Sequence, residues 1–449
     1  MRQQTLLLAL AIAHAVYGAT SNALCNIGDT YVAGNWYCQE VKKISYTGIN
    51  QSGSYKATTA MDENTGVCSR KDVSYSGPGA PLDGEVSIHL RGPLKLSQFA
   101  AYTMGGGSSA SRKQRRHGHG HGHDHGQLHS RHAAKRAAGD LVTAVINGQT
   151  VTWAKGYDST ATPVAGQPAA NVNTVEAGTQ TSPAASGSTP ATPSTSIGDG
   201  KWGRVAYYSV NSKDSAAGLA FLNNQGSSYA SGTWSSTFGN SASYASEDGT
   251  TAAKSSTPFG GSLATSANEV FIMTDKVCNG DDCGFYRPNS VAHHGFNGSS
   301  KAFLFEFQMP DNPSGDSSGL PNAPAIWMLN ANIPRVSQYG TDSATKTSCS
   351  CWDSGCGEFD IFEVLSAGDK RCKSTLHRQH NAQGGDSNYF KRPTDAPVKV
   401  AVVMTGGNFI IATLKDDVTF DETFESSTMQ SMLNAYDNPN HQSVFAIVR

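Results

Sequence analysis

The sequence predicts an all-β protein whose C-terminal part is a β-jelly-roll sandwich, and two observations carry that prediction. Between positions 200 and 449, apolar and β-branched runs recur at 205–210, 269–273, 302–309, 398–404 and 409–414, separated by Gly, Ser and Asn turns. Over the same span no stretch shows a 3.6-residue apolar stripe except 429–435. Many strands without helices to cover a sheet call for two packed antiparallel sheets, with apolar side chains between them. Composition agrees: 47 glycines with 16% charged residues point to β-rich secreted material. A formal net charge of −2 leaves no global basic field to hold a polyanion, so nucleic acid is not an expected partner.

In chain order, 1–23 reads as a secretory signal peptide: Arg2 precedes a short apolar run and then small residues near Gly18 to Ala23. That run is too short to span a bilayer and the C-terminal apolar run is too short for a lipid-anchor signal, so no membrane anchor is expected. Segment 24–104 is expected to be a small glycine-rich β domain, with strand candidates at 41–46 and 86–90 between Gly, Asn and Pro turns. Its aromatics Tyr31, Trp36, Tyr37, Tyr46, Tyr55 and Tyr75 suit either sugar stacking or a small core. Segment 105–139 is a basic, His-rich linker. Half of the 14 histidines sit there, alternating with glycine. Such a tract can chelate zinc, copper or nickel, but the intervening glycines leave the geometry undefined, so no metal site is assigned. The dibasic pairs ending in Arg116 and Arg136 suit either a secretory processing protease or an ordinary solvated linker. Segment 140–158 reads as two strands about the Asn147-Gly148 turn, and 159–199, rich in Ser, Thr, Pro, Ala and Gly, as an extended spacer. Asn50 and Asn297 open N-glycosylation acceptor patterns.

Nine cysteines in a secreted chain imply disulfides before metals. Cys25, Cys38 and Cys68 leave an odd one near the N-terminus, while Cys278, Cys283, Cys349, Cys351, Cys356 and Cys372 are enough for three bridges among themselves.

Cys349, Cys351 and Cys356 crowd just before Glu358-Phe359-Asp360-Ile361-Phe362-Glu363, a run with the apolar content of a buried strand and three acids. Glu358 and Asp360 share one face by parity, and Glu363 falls on the other. A β-bulge near Ile361-Phe362 would return Glu363 to the face of its fellows. Two carboxylates about 5–5.5 Å apart suit a retaining glycosidase, one attacking the sugar and one protonating the leaving oxygen. A third acid between them raises its neighbours' pKa and orients the nucleophile.

These residues resemble the E-x-D-x-x-E signature of laminarinase- and lichenase-type β-glucanases, glycoside hydrolase family sixteen, in its bulged form. Pro324-Ala325-Ile326-Trp327-Met328-Leu329 and Ser374-Thr375-Leu376-His377 resemble the flanking strands in the expected order. The wider chain resembles the TOS-type glycosyl hydrolases of fungal cell walls, in which a glycine-rich N-terminal domain precedes a laminarinase-like one. The resemblance implies a concanavalin-like jelly roll over 200–449 and an endo-β-1,3-glucanase-type, retaining enzyme secreted to the cell wall. By it Glu358 is the nucleophile, Asp360 its helper and Glu363 the acid/base, with no cofactor and cell-wall β-glucan as partner. Trp327, Trp352 and His377 are the substrate-binding candidates, the tryptophans for stacking on sugar faces and His377 for bonding a carboxylate or a sugar hydroxyl. Glu306 is a further cleft-lining guess. Two alternatives stay open: a glucan transglycosylase, and a non-catalytic carbohydrate-binding mannoprotein.

Overall fold

Alternation along individual strands decides which side chains meet in the middle of the protein. In Lys301–Gln308, Phe303, Phe305 and Phe307 point one way and Ala302 and Leu304 the other, and all five are buried. A computed structural model describes residues 30–105, 141–146, 149–154, 197–212, 216–312, 320–339, 349–378, 384–436 and 438–447. The expected signal peptide, the His-rich tract with Arg116 and Arg136, and nearly all of the 159–199 spacer lie outside these residues. The described chain is nearly all strand and forms two large sheets.

The twelve-stranded sheet runs Ala216–Ala217, Lys201–Ser209, Leu94–Met104, Lys301–Gln308, Val398–Thr405, Asn408–Thr413, Lys43–Thr47, Gln442–Ile447, Leu141–Ile146 and Gln149–Ala154, with two short strands off this path. In the ten-stranded sheet, Leu219–Asn223, Glu269–Thr274, Val86–Arg91, Ala325–Asn330, Glu358–Glu363 and Arg371–His377 lie side by side. One apolar core fills the space between: Ile88, Leu90, Ile326, Met328 and Phe359 come from the ten-stranded sheet, and Phe99, Phe303, Phe305, Val402 and Ile411 from the other. The far face of the twelve-stranded sheet is buried too. Phe420, Phe424 and the helix Ser426–Leu433, through Met429 and Leu433, cover Ala302, Leu304, Val403 and Ile410 there. Strands covered on both faces read as continuous apolar runs, which is why Val398–Thr405 shows no alternation.

The expected boundary at 104 does not separate two cores. Val86–Arg91 sits between Glu269–Thr274 and Ala325–Asn330, and Leu94–Met104 between Lys201–Ser209 and Lys301–Gln308, so the early strands are interior members of both sheets. These early strands complete their hydrogen bonding with strands encoded much later, from Lys201–Ser209 to Ala325–Asn330. The hairpin expected over 140–158 forms, Ile146 pairing with Gln149, and it joins the twelve-stranded sheet beside Gln442–Ile447. Asn50 and Asn297 are exposed, as carriers of a glycan must be.

The cysteines follow the same interleaving. Cys68 bonds to Cys349 across 281 positions, Cys278 to Cys283, and Cys351 to Cys356. The third bridge expected within the C-terminal part is therefore absent: Cys349 takes its partner from the early strands, and Cys372 is a buried free thiol inside the core. Burial pushes that thiol up and keeps it unreactive.

A cut anywhere between 106 and 140 should leave one folded body. Under denaturing conditions both fragments are expected to migrate together without reductant and to separate only in its presence, and in native buffer the cut chain should keep the intact chain's melting temperature to within a few degrees. Fragments that part in non-reducing buffer would refute the Cys68–Cys349 link.

Candidate active site

Glu358–Glu363 pairs with Ala325–Asn330 as Leu329 opposite Glu358, Met328 opposite Phe359 and Trp327 opposite Asp360. The register then slips, and Ile326 faces Phe362 and Ala325 faces Glu363. Ile361 is the additional residue, and the slip recurs against Arg371–His377 between Asp360 and Glu363. Glu358, Asp360 and Glu363 consequently share the outer face, while Phe359, Ile361 and Phe362 enter the core. Gly357, at φ +108°, sets the entry to this strand. A Cβ there would come within 2.9 Å of the Leu82 side chain.

Each acid has its own donor. His377 Nε2 lies 3.0 Å from Asp360 Oδ2. The Trp352 indole N–H donates to Glu358 Oε2. Arg91 Nη2 donates to Glu363 Oε1 over 3.3 Å, while its Nε donates to the Ala323 carbonyl at 2.9 Å. Burial pushes Glu358 up to about 7, with the Asp360 charge adding to the effect. Burial and then the Glu363 charge push Asp360 up to about 6, and burial also raises Glu363 against the pull of Arg91. For His377 burial acts downward, but the bond to Asp360 and the charges of all three acids overcome it and lift the imidazole to about 9. Asp360 is buried and Glu358, Glu363 and His377 are half-buried around it, so all three acids are raised while the raised imidazole is a cation bonded to the middle acid.

The two tryptophans differ. Trp352, 45% exposed, rises from the short loop closed by Cys351–Cys356 and faces the His377 ring at 6.4 Å. Trp327 is 6% exposed and stands opposite Asp360 on the neighbouring strand, stacked on His89 at 5.1 Å with the Arg91 guanidinium 5.7 Å from its ring centre. His89 in turn stacks on Phe271 at 5.0 Å. Its Nδ1–H donates to Glu269 over 3.0 Å and its Nε2 accepts from Ser87 at 2.8 Å. Glu269 also accepts from Gln338 at 2.9 Å and from the Tyr339 hydroxyl at 2.6 Å.

Arg91, His89 and Glu269 are site residues that sequence reasoning missed. The signal was present: Ser87, His89 and Arg91 alternate with Ile88 and Leu90, the pattern of a strand with one polar face. Assigning that strand to a separate domain hid its meaning. Glu306, a cleft guess, instead belongs to the twelve-stranded sheet, where it accepts from Gln98 at 2.6 Å. Of the early aromatics, Tyr37, Tyr46 and Tyr55 are buried packing residues, whereas Tyr31 is exposed.

Among the described residues, two clusters have the ligand spacing of a metal site. Glu358, Asp360 and His377 present atoms within 4.8 Å of one another, and a cation there would have to displace the proton of the raised imidazole. In the second cluster Cys278 and Cys283 are joined to each other, which leaves Asp282 and His294 without a thiolate partner.

Residues 200–432 match the model of the C-terminal region of the cell wall proteins YJL171C/Tos1, and residues 42–104 match the model of the N-terminal region of the same proteins. A protein of Arthroderma benhamiae called a "probable circularly permuted 1,3-beta-glucanase" is 39% identical, over 94% of this chain and 95% of its own. Similarly named TOS1 proteins of Saccharomyces cerevisiae and Candida albicans are 36% and 35% identical, each over 92% of this chain and 94% of their own. No solved structure matches the chain.

Carboxyl groups raised on folding contribute stability that is complete below their unfolded values near 4 and is lost as pH rises toward 7. Glu358→Gln should therefore stabilise the protein at pH 7, by about 1–3 kcal/mol, and far less at pH 4. Thermal melts at the two pH values test this, and equal gains at both would remove the case for raised values.

Proposed function

The chain belongs to the YJL171C/Tos1 family of fungal cell wall proteins, and from that premise we propose that it is a retaining glycosidase of wall β-1,3-glucan. The observation that supports this reading best is the bulge at Ile361, which sets three acids on one face with a separate donor to each. Glu358 attacks the anomeric carbon, and Glu363 gives its proton to the glycosidic oxygen as the bond to the leaving sugar breaks. A glycosyl ester on Glu358 results. Glu363, now a carboxylate, takes a proton from the incoming hydroxyl, which attacks the anomeric carbon and frees Glu358.

The neighbouring groups suit these roles. The Trp352 N–H favours the anionic form of Glu358, the form that attacks. His377 holds Asp360 as a bonded carboxylate, whose charge discourages ionisation of the acids on either side. Arg91 fixes one oxygen of Glu363 and steers the other toward the substrate. Trp352, partly exposed above Glu358, offers a ring to the sugar face, and the buried Trp327 keeps Arg91 and His89 in place. The acceptor hydroxyl comes from water in a hydrolase and from another glucan in a transglycosylase, and the products separate the two.

Wild-type protein incubated with defined β-1,3-gluco-oligosaccharides should yield shorter products by mass spectrometry if water accepts, and longer ones if sugar does. Glu358→Gln should abolish both, and Glu363→Ala should lower turnover by roughly 10²–10⁴-fold. Unchanged products from Glu358→Gln would sink the assignment of the nucleophile. His377→Asn removes the cation that lowers Glu358 and Asp360, so the acidic limb of the pH–rate profile should move to higher pH. A limb that stays in place would show that His377 does not set it.

A further inference from the structure

A cavity of about 590 Å³ lies beside the acids without including any of them. One wall is the hairpin Gly53–Met61 and Cys68–Tyr75, contributing Tyr55, Ala57 and Thr59; the opposite wall is the loop that carries Phe285 and Tyr286. Asn332 and Cys351 close its base. Two disulfides border it. Cys283 and Cys351 line the cavity directly, each in a short loop closed by its own disulfide to a cysteine five positions away, and Cys68–Cys349 ties the hairpin to the segment leading to Cys351. The Thr58 hydroxyl donates to the Cys349 carbonyl, and the Lys56 N–H donates to Ser354 Oγ at 2.9 Å, so the hairpin is pinned to the Trp352 loop by more than its bridge.

Cross-linking of this density makes the walls rigid before any ligand arrives, which lowers the cost of binding. The volume falls within the usual range of ligand pockets. Its lining selects a chemical class. Two half-buried aromatic rings, Phe285 and Tyr286, stand beside hydroxyl and amide groups of Thr59 and Asn332, with the buried Tyr55 behind them. Lys71 and Asp281 contribute one charge of each sign, and both are exposed. Rings for apolar faces, neutral hydrogen-bonding groups and no net charge fit a neutral sugar chain better than an anion or a lipid. Tyr55 links this cavity to the active site, since it also packs in the apolar cluster that contains Trp327.

We propose that the cavity is a second glucan-binding site, which holds the wall polymer while the acids act on another part of it. The inference rests on β-1,3-glucan as the substrate. The occupant is a neutral β-glucan segment, and the hairpin is the partition between the two sites.

The experiment uses the full chain carrying Glu358→Gln and a short β-1,3-gluco-oligosaccharide, titrated by calorimetry. Two sites per chain are expected. Ala57→Trp, which fills the cavity, and Tyr286→Ala, which removes a ring, should each reduce the count to one. In the wild-type background the same two changes should weaken co-sedimentation with insoluble β-1,3-glucan by about ten-fold or more, with oligosaccharide turnover unchanged. A single site that neither substitution affects overturns the proposal. Two sites without turnover by the wild type would leave the second site standing and sink the glycosidase reading, and turnover with a single site would do the reverse.

Discussion

Strand parity is the constraint on which the active site depends. A β-strand turns successive side chains to opposite faces, so two acids five positions apart cannot share a face in a regular strand. The inserted Ile361 changes the count. Had the same six residues formed a regular strand, Phe362 would turn to the outer face and Glu363 would enter the core, where an unpaired carboxylate costs several kcal/mol. With the bulge, both Phe359 and Phe362 remain buried and the three acids remain together. The bulge thus serves the packing and the chemistry at once.

Around that strand the site is assembled from distant pieces of sequence. Arg91 and His89 arrive on an early strand, Glu269 on its neighbour, His377 on the strand after the acids, and Trp352 on a disulfide-closed loop. Sheet register brings them into rows: Glu269, Arg91, Ala325 and Glu363 stand opposite one another across four strands, and Phe271, His89, Trp327 and Asp360 form the next row. Stacking along the second row, His89 on Phe271 and Trp327 on His89, fixes the side chains that lead up to Asp360. The raised carboxyls follow from the same compactness, because the donors that orient the acids also keep water away from them.

Much of this was legible in the sequence, and what was not has a physical cause. The all-β class, the apolar strands and the bulge came from local alternation, which is a short-range property. His377 was found because the strand that ends in it resembles the one following the acids in β-glucanases, and Trp352 as an aromatic beside the acids suited to stacking on sugar. Arg91 and Cys68 were not, although the alternation in Val86–Arg91 is as clean as any in the chain. Local pattern shows that a strand has a polar face but not which sheet it joins, and a long low-complexity tract between two β-rich segments looks the same whether or not they share a core. Glu306 failed in the opposite way: its alternation is real, but its sheet is the one covered on its far side by other chain segments rather than the one bearing the acids.

The interior position of the early strands also governs how the molecule comes into being. Synthesis delivers Val86–Arg91 and Leu94–Met104 first, while the strands that flank them, such as Ala325–Asn330 and Lys301–Gln308, are made much later. Until then two long apolar strands have open edges and no native neighbours, and closure must span very long loops, which makes folding slow. An exposed glycan acceptor at Asn50, just beyond Lys43–Thr47, falls within this waiting segment. A sugar added there would keep the unfinished half soluble until its partners emerge, so the strand order that builds the active site also sets the time for which the nascent chain must be protected.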